Sequence, residues 1–194
     1  MINSDISYLY PGTIKNAYLP EFMPEVMKSK GLIIDLRCYP SEFIVFTLSQ
    51  YLQPAPSDFV KFSVGSINTP GLFTMTNNLS VGAKNENHYK GKIVIIVNEE
   101  TQSQAEYTTM ALRTAPNAVV IGSTTAGADG NVSEIVLPGG MKTWISGIGV
   151  YYPDGKETQR IGIVPDMEVK PTIDGIISGR DELLEKAIEI INGN

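Results

Sequence analysis

The sequence predicts an α/β fold with a central, mostly parallel sheet, flanking helices and a β-hairpin region toward the C-terminus. Three observations predict it. Short apolar runs rich in β-branched residues stand at 32–36, 93–97 and 118–122, the signature of strands buried on both faces. A segment with helical spacing separates each run from the next, and crossovers of that kind join parallel strands. Each run ends in a polar or glycine-rich stretch, at 37–42, 98–103 and 122–130. In an open α/β sheet, functional residues gather at such carboxyl ends.

In chain order, 6–10 reads as a short opening strand and 22–30 as a helix with Pro24 in its first turn. Strand 32–36 follows Gly31, and 43–52 is a helix stopped by Pro54 and Pro56. Residues 58–90 are rich in loops, with strands at 59–64 and 72–75. Strand 93–97 leads into a helix over 103–114, and then comes strand 118–122. Residues 132–137 and 141–151 read as a hairpin across Pro138-Gly139-Gly140. In the last helix, 181–191, Leu183, Leu184, Ala187, Ile188 and Ile191 make one apolar face.

The chain has 194 residues and a formal charge of −6. The length suits one domain with a substantial core. The acidic balance argues against nucleic acid or an anionic membrane as partner, since both select basic surfaces. The single cysteine, Cys38, excludes an intrachain disulfide. No apolar run approaches the ~20 residues of a membrane helix. The first residues lack the basic and apolar regions of a signal peptide, so the chain is read as cytoplasmic or as a trimmed piece of a longer protein.

The candidate site lies in 91–113. The apolar run ends in Asn98-Glu99-Glu100, and a helical pattern opens at Ser103. The first N–H groups of a helix lack internal partners and carry the positive end of its dipole, so they stabilise an oxyanion formed beside them. The same residues, Ser103-Gln-Ala-Glu106, also fit a capping box, in which the serine merely closes the helix.

Three segments in order, GLIIDLR at 31–37, VNEETQSQAE at 97–106 with VIGSTTAGADG at 120–130, and IGIVPDMEV at 161–169, resemble the tail-specific or C-terminal processing serine proteases. Relatives of that family include the tricorn protease core and the interphotoreceptor retinoid-binding protein. The chain looks like a divergent branch found in Bacteroides-type bacteria. The resemblance spans 5–193 and implies a ClpP/crotonase-like protease core, without the PDZ domain or the N-terminal helical region. It implies a serine endopeptidase acting on polypeptides, with no cofactor or metal, in the cell envelope, and homo-oligomerisation stays open. Glu106 matches the family's glutamate three residues after the nucleophile, which makes Ser103 the nucleophile.

The resemblance breaks at the general base. The processing-protease lysine falls on Ala128 or Asp129. The tricorn-like histidine comes from a region N-terminal to the core, and its orienting carboxylate falls on Gln159, with Glu157 two residues away. His88 stands in the wrong segment, Lys142 reads as a solvated hairpin residue and Cys38 as a small semi-buried one. A base from an N-terminal segment outside the chain is therefore expected, and the 194 residues by themselves should cleave poorly. The alternative is a pseudoprotease, or a binding domain for a peptide or apolar ligand. The glycine pair of the family's oxyanion loop is also missing. Pro40 has no N–H, so the Ser41 N–H is expected to pair with that of Gln104. Asp35 and Arg37 are expected to fix that loop by an ion pair. Gly127, Asp129, Ser133 and Gln159 are supporting candidates, and the loops at 37–42, 100–104 and 125–133 should converge on one concave site.

Overall fold

The computed structural model describes residue 2 and residues 5–193. Its strands and helices run β1 (Ile6–Leu9), α1 (Leu19–Val26), β2 (Gly31–Asp35), α2 (Val45–Leu52), β3 (Ser57–Gly65), β4 (Phe73–Met75), β5 (Leu79–Val81), β6 (Lys92–Val97), α3 (Gln104–Leu112), β7 (Ala118–Gly122), β8 (Val132–Val136), β9 (Lys142–Ser146), β10 (Ile148–Tyr151), β11 (Met167–Glu168), α4 (Ile173–Ile177) and α5 (Glu182–Asn192). The fold is α/β, as the sequence predicts. Strands β1, β2, β6, β7 and β11 form one sheet in the order β1-β2-β6-β7-β11, and every neighbouring pair is parallel.

The sheet is covered on both faces because its strands alternate. Ile93, Ile95 and Val97 join a core with residues of α1, α2 and α3. Val94 and Ile96 point the other way and meet Leu183, Ala187 and Ile191 of α5. Helix α5 lies so close that a Cβ on Gly31 would collide with Ile191. Its ends are closed by the Asp181 side chain, which accepts from Leu184 N, and by Gly193 at φ 79°. A smaller antiparallel sheet, β10-β3-β4 with β5 also on β3, packs Phe59, Val60 and Val150 against Val45 of α2 and Met110 and Ala111 of α3. Helices α2 and α3 thus lie between the two sheets.

Two expectations are corrected, and three short elements went unread. The helix expected at 22–30 begins at Leu19 and ends at Val26. Pro20 fits its first turn, where a missing N–H costs nothing, whereas Pro24 falls inside and forfeits a helical hydrogen bond. The second hairpin arm is not continuous over 141–151. It breaks at Gly147, and β10 pairs with β3 instead, which buries Val150. Strands β5 and β11 and helix α4, each of two to five residues, are too short for a periodic signal.

Candidate active site

The link from β6 to α3 is held at Thr101. Its hydroxyl donates to Leu36 O at 2.9 Å and accepts from Asn98 N at 3.0 Å. Its carbonyl accepts from Ala126 N at 3.0 Å. One buried threonine therefore ties together the segments that follow β2, β6 and β7. Ser103 comes two residues later, directly before the first residue of α3.

Ser103 has φ 52° and ψ −117°. A capping serine normally has extended backbone, from which its oxygen reaches back to the helix N–H groups. The capping box is present, with the Ser103 side chain turned to the Glu106 N–H and the Ser103 N–H donating to Glu106 Oε2 at 2.9 Å, so it is the backbone conformation that sets this serine apart from an ordinary cap. The positive φ of a residue with a Cβ costs on the order of 1–3 kcal/mol and is kept only where surrounding structure enforces it. Sharp strand-to-helix turns of this kind present nucleophiles.

Glu106 supplies the enforcement. It is fully buried and each carboxylate oxygen accepts twice. Oε2 takes Ser103 N and Ala128 N, both at 2.9 Å. Oε1 takes Gly127 N at 2.8 Å and the Thr125 hydroxyl. Thr125 Oγ1 in turn accepts from Ile163 N at 2.7 Å. Gly127 is required in this knot: its φ is 65°, and a Cβ there would stand 2.9 Å from the Arg160 carbonyl carbon.

Ser103 opens onto a cleft of ≈ 350 Å³. Tyr39 comes from the segment after β2, Gln104 and Tyr107 from α3, and Asp129, Gly130 and Asn131 from the segment after β7. Phe43, Phe62, Ile148 and Val150 complete the walls. The expected convergence therefore holds for Tyr39, Ser103, Gln104 and Asp129. A larger groove of ≈ 770 Å³ runs between Arg113 and the turns around Pro153 and Val164. It lacks a nucleophile at a helix mouth, so chemistry rather than size selects the cleft at Ser103.

Two site residues fall elsewhere. Ser41 does not line the cleft. Its N–H donates to Pro11 O at 3.0 Å and its hydroxyl to Ile14 O at 2.5 Å, so its N–H is committed to a turn and is unavailable to an oxyanion. Ser133 sits on the exposed strand β8 and does not line the cleft either. Gln104 is well placed: as the first helical residue it has no N–H acceptor within α3, and its side chain donates to Glu42 O at 2.8 Å. Gln159 supports the loop after β7. Its Nε2 donates to Asp129 O at 2.9 Å and Ile148 O at 3.0 Å, and its Oε1 accepts from Val150 N.

Asp129 is 7 % exposed. Oδ1 accepts from Gly130 N at 2.7 Å, and Oδ2 is buried without a partner. Burial pushes its carboxyl up to about 7, with the Glu106 carboxylate adding in the same direction. Burial and the charge of Asp129 together push the Tyr107 hydroxyl up to about 12.

The other titratable candidates are engaged elsewhere. His88 precedes the amino end of β6, roughly 16 Å of strand from the end that leads to Ser103, and its ring contacts Asn85 O and Lys90. Lys142 pairs with Glu134 at 3.0 Å on the hairpin. Burial raises the Cys38 thiol, which disfavours the reactive thiolate. Arg37 grips Asp35 and Asp181 at 2.7 Å each, and Tyr8 donates to Asp35 at 2.7 Å. That pair is structural, as expected. Asp166 of the 161–169 segment is structural too: it pairs with Arg113 at 2.6 Å and accepts from Val120 N at 2.8 Å. Among the described residues no cluster suited to a metal ion occurs, and no helix is long and apolar enough to cross a membrane.

Sequence reading passed over Thr101, Tyr39 and Tyr107. The signal for Thr101 was its place two residues before Ser103. For Tyr107 it was the step of one helical turn from Ser103, which puts both on one face.

Comparison with known proteins bears on the fold and the family. A search among curated proteins finds no match. Solved structures do match. A candidate peptidase from Parabacteroides merdae superposes with a TM-score of 0.84 at 22% identity, over 96% of this chain and 61% of that one. The photosystem II D1 C-terminal processing protease gives 0.64 at 18% identity, over 85% and 42%. The tricorn protease gives 0.58 at 19% identity, over 97% and 18%. The chain thus spans about three-fifths of the first of these proteins and less than half of the other two. At these identities the likeness establishes the fold. The model of "Peptidase family S41" matches residues 13–169, most of the sequence and all of the segments around Ser103, and the chain belongs to that family.

Proposed function

We propose that this chain is the catalytic core of a serine endopeptidase, with Ser103 as nucleophile. The observation that carries the reading is the Ser103 backbone: φ 52° and ψ −117° at the mouth of α3. A serine that merely closes a helix does not need a positive φ. Its Oγ attacks the carbonyl carbon of a peptide bond. The Gln104 N–H stabilises the tetrahedral oxyanion, and the N–H of Tyr39 in the adjoining loop replaces that of Ser41 as second donor. The amine leaves with a proton, and water then hydrolyses the acyl-enzyme.

The proton acceptor is supplied by a segment outside these 194 residues. No lysine or histidine lines the cleft, and the chain covers only 61% of the Parabacteroides merdae structure, which supports this reading. Asp129, Gly127 and Gln159 shape the loop facing Ser103. Polypeptide chains are the substrate, and the cell envelope is the place of action.

The test compares peptide cleavage by this chain with cleavage by the longer encoded protein. The longer form should be faster by about 10²–10⁴-fold, the usual contribution of a general base, and Ser103→Ala should remove that activity. Efficient cleavage by the short chain, or by the Ser103→Ala long form, would contradict the proposal.

A further inference from the structure

We propose that the cleft beside Ser103 receives a cationic side chain of the substrate, of lysine or arginine type, with Asp129 as its counter-ion. The proposal rests on the peptidase reading of Ser103 and adds the class of substrate residue.

The walls are suited to a long stem with a charged end. Tyr107 stacks with Phe43 at 5.5 Å and with Phe62 at 6.2 Å between ring centroids, and all three rings line the cleft. Aromatic walls hold the methylenes of lysine or arginine and attract the cation through the ring quadrupole. The ≈ 350 Å³ volume accommodates such a side chain.

The charges point the same way. Asp129 is the only carboxylate among the lining residues, and no lysine, arginine or histidine balances it. Its Oδ2 has no partner, an unusual state for a buried carboxyl. A neighbouring cleft of ≈ 420 Å³ shares Tyr39 and carries Glu99 and Glu100, and its one cation, Arg37, is already held by Asp35 and Asp181. Both clefts beside Tyr39 are therefore acidic. A cation would offset the buried charge of Asp129, a neutral side chain would leave it uncompensated, and an anionic one would meet repulsion.

The titratable groups facing Asp129 are Glu106 and Tyr107, both on α3. Glu106 already accepts four hydrogen bonds. With its carboxyl pushed up to about 7 by burial, Asp129 changes its charge near neutral pH in the empty cleft. A bound cation favours the ionised form, so cation binding should strengthen as pH rises to about 7 and then level off.

The probes are benzamidinium and its neutral near-isostere benzamide, titrated into the protein by calorimetry. Benzamidinium should bind about tenfold tighter or more at pH 8, and the preference should shrink steadily toward pH 5. Asp129→Asn should erase the preference, and Lys142→Ala, on the exposed hairpin away from the cleft, should leave it intact. Equal binding of the two probes, or a preference that survives Asp129→Asn, overturns the proposal. Should Asp129→Asn fail to fold, the pH series on the unaltered protein decides: a preference that does not fall between pH 8 and pH 5 overturns it equally. Because the measurement needs no bond cleavage, its failure is distinguishable from that of the peptidase reading, which would appear as absent hydrolysis by the long form.

Discussion

Glu106 and Asp129 are two buried carboxylates in one cluster of loops, and they have opposite surroundings. Glu106 accepts four hydrogen bonds from four residues on two segments. Asp129 accepts one and leaves an oxygen unpaired. A buried acceptor with a full set of donors fixes geometry, and here it holds Ser103 at a positive φ. A buried acceptor with an empty position stores unfavourable desolvation that an arriving partner can relieve. The residue types are nearly the same. The donors within reach decide which carboxylate is saturated and which keeps an unpaired oxygen.

The largest effect that would sharpen the comparison is expected at Glu106. Glu106→Ala leaves three backbone N–H groups and the Thr125 hydroxyl without their acceptor. Unfolding in urea should show a loss of about 3 kcal/mol or more, since each orphaned buried group costs about 1–3 kcal/mol. A loss under about 1 kcal/mol would mean that the knot around Ser103 is not held by this carboxylate.

Asp129→Asn should act in the opposite direction. Above pH ~4 the unfolded chain ionises this carboxyl, whereas the folded chain keeps it protonated up to about 7. The native carboxyl therefore costs stability progressively as pH rises between those values. Asparagine cannot ionise, so its stabilising effect should be near zero at pH 4 and on the order of 2–4 kcal/mol at pH 8. Melting temperatures across that range measure it. An effect independent of pH would break the contrast with Glu106.

Smaller effects should follow the same logic. Thr125→Val removes one donor to Glu106 and the acceptor of Ile163 N, and should cost about 1–2 kcal/mol in urea. Lys142→Ala lies on the exposed hairpin, where its pair with Glu134 is solvated, and should stay within about 0.5 kcal/mol.

The same contrast explains what was legible in the sequence. Strands β2, β6 and β7 are buried on both faces, so unbroken apolar runs announce them, and their order and parallel pairing follow from the helices between them. The place of Ser103 at the mouth of α3 was legible because strand, turn and helix follow one another directly within 92–112. The Ser41 expectation failed because its N–H is taken by Pro11, thirty residues earlier, a pairing that no local pattern reports. The character of Asp129 was hidden for the same reason, since it depends on which donors the fold withholds. The hairpin break at Gly147 reflects the competing claim of β3, which lies eighty residues upstream and offers burial where β8 offers only solvent.

The central claim is that the turn at Ser103 exists to present a nucleophile. The most direct measurement is covalent labelling of the protein, together with the base-bearing segment proposed above, with a fluorophosphonate, followed by peptide mapping by mass spectrometry. The account predicts one adduct, on Ser103 Oγ, that disappears on denaturation before labelling and in Glu106→Ala if that variant loses the turn. An unlabelled Ser103 in a preparation that cleaves peptides, or an adduct on another residue, would contradict it.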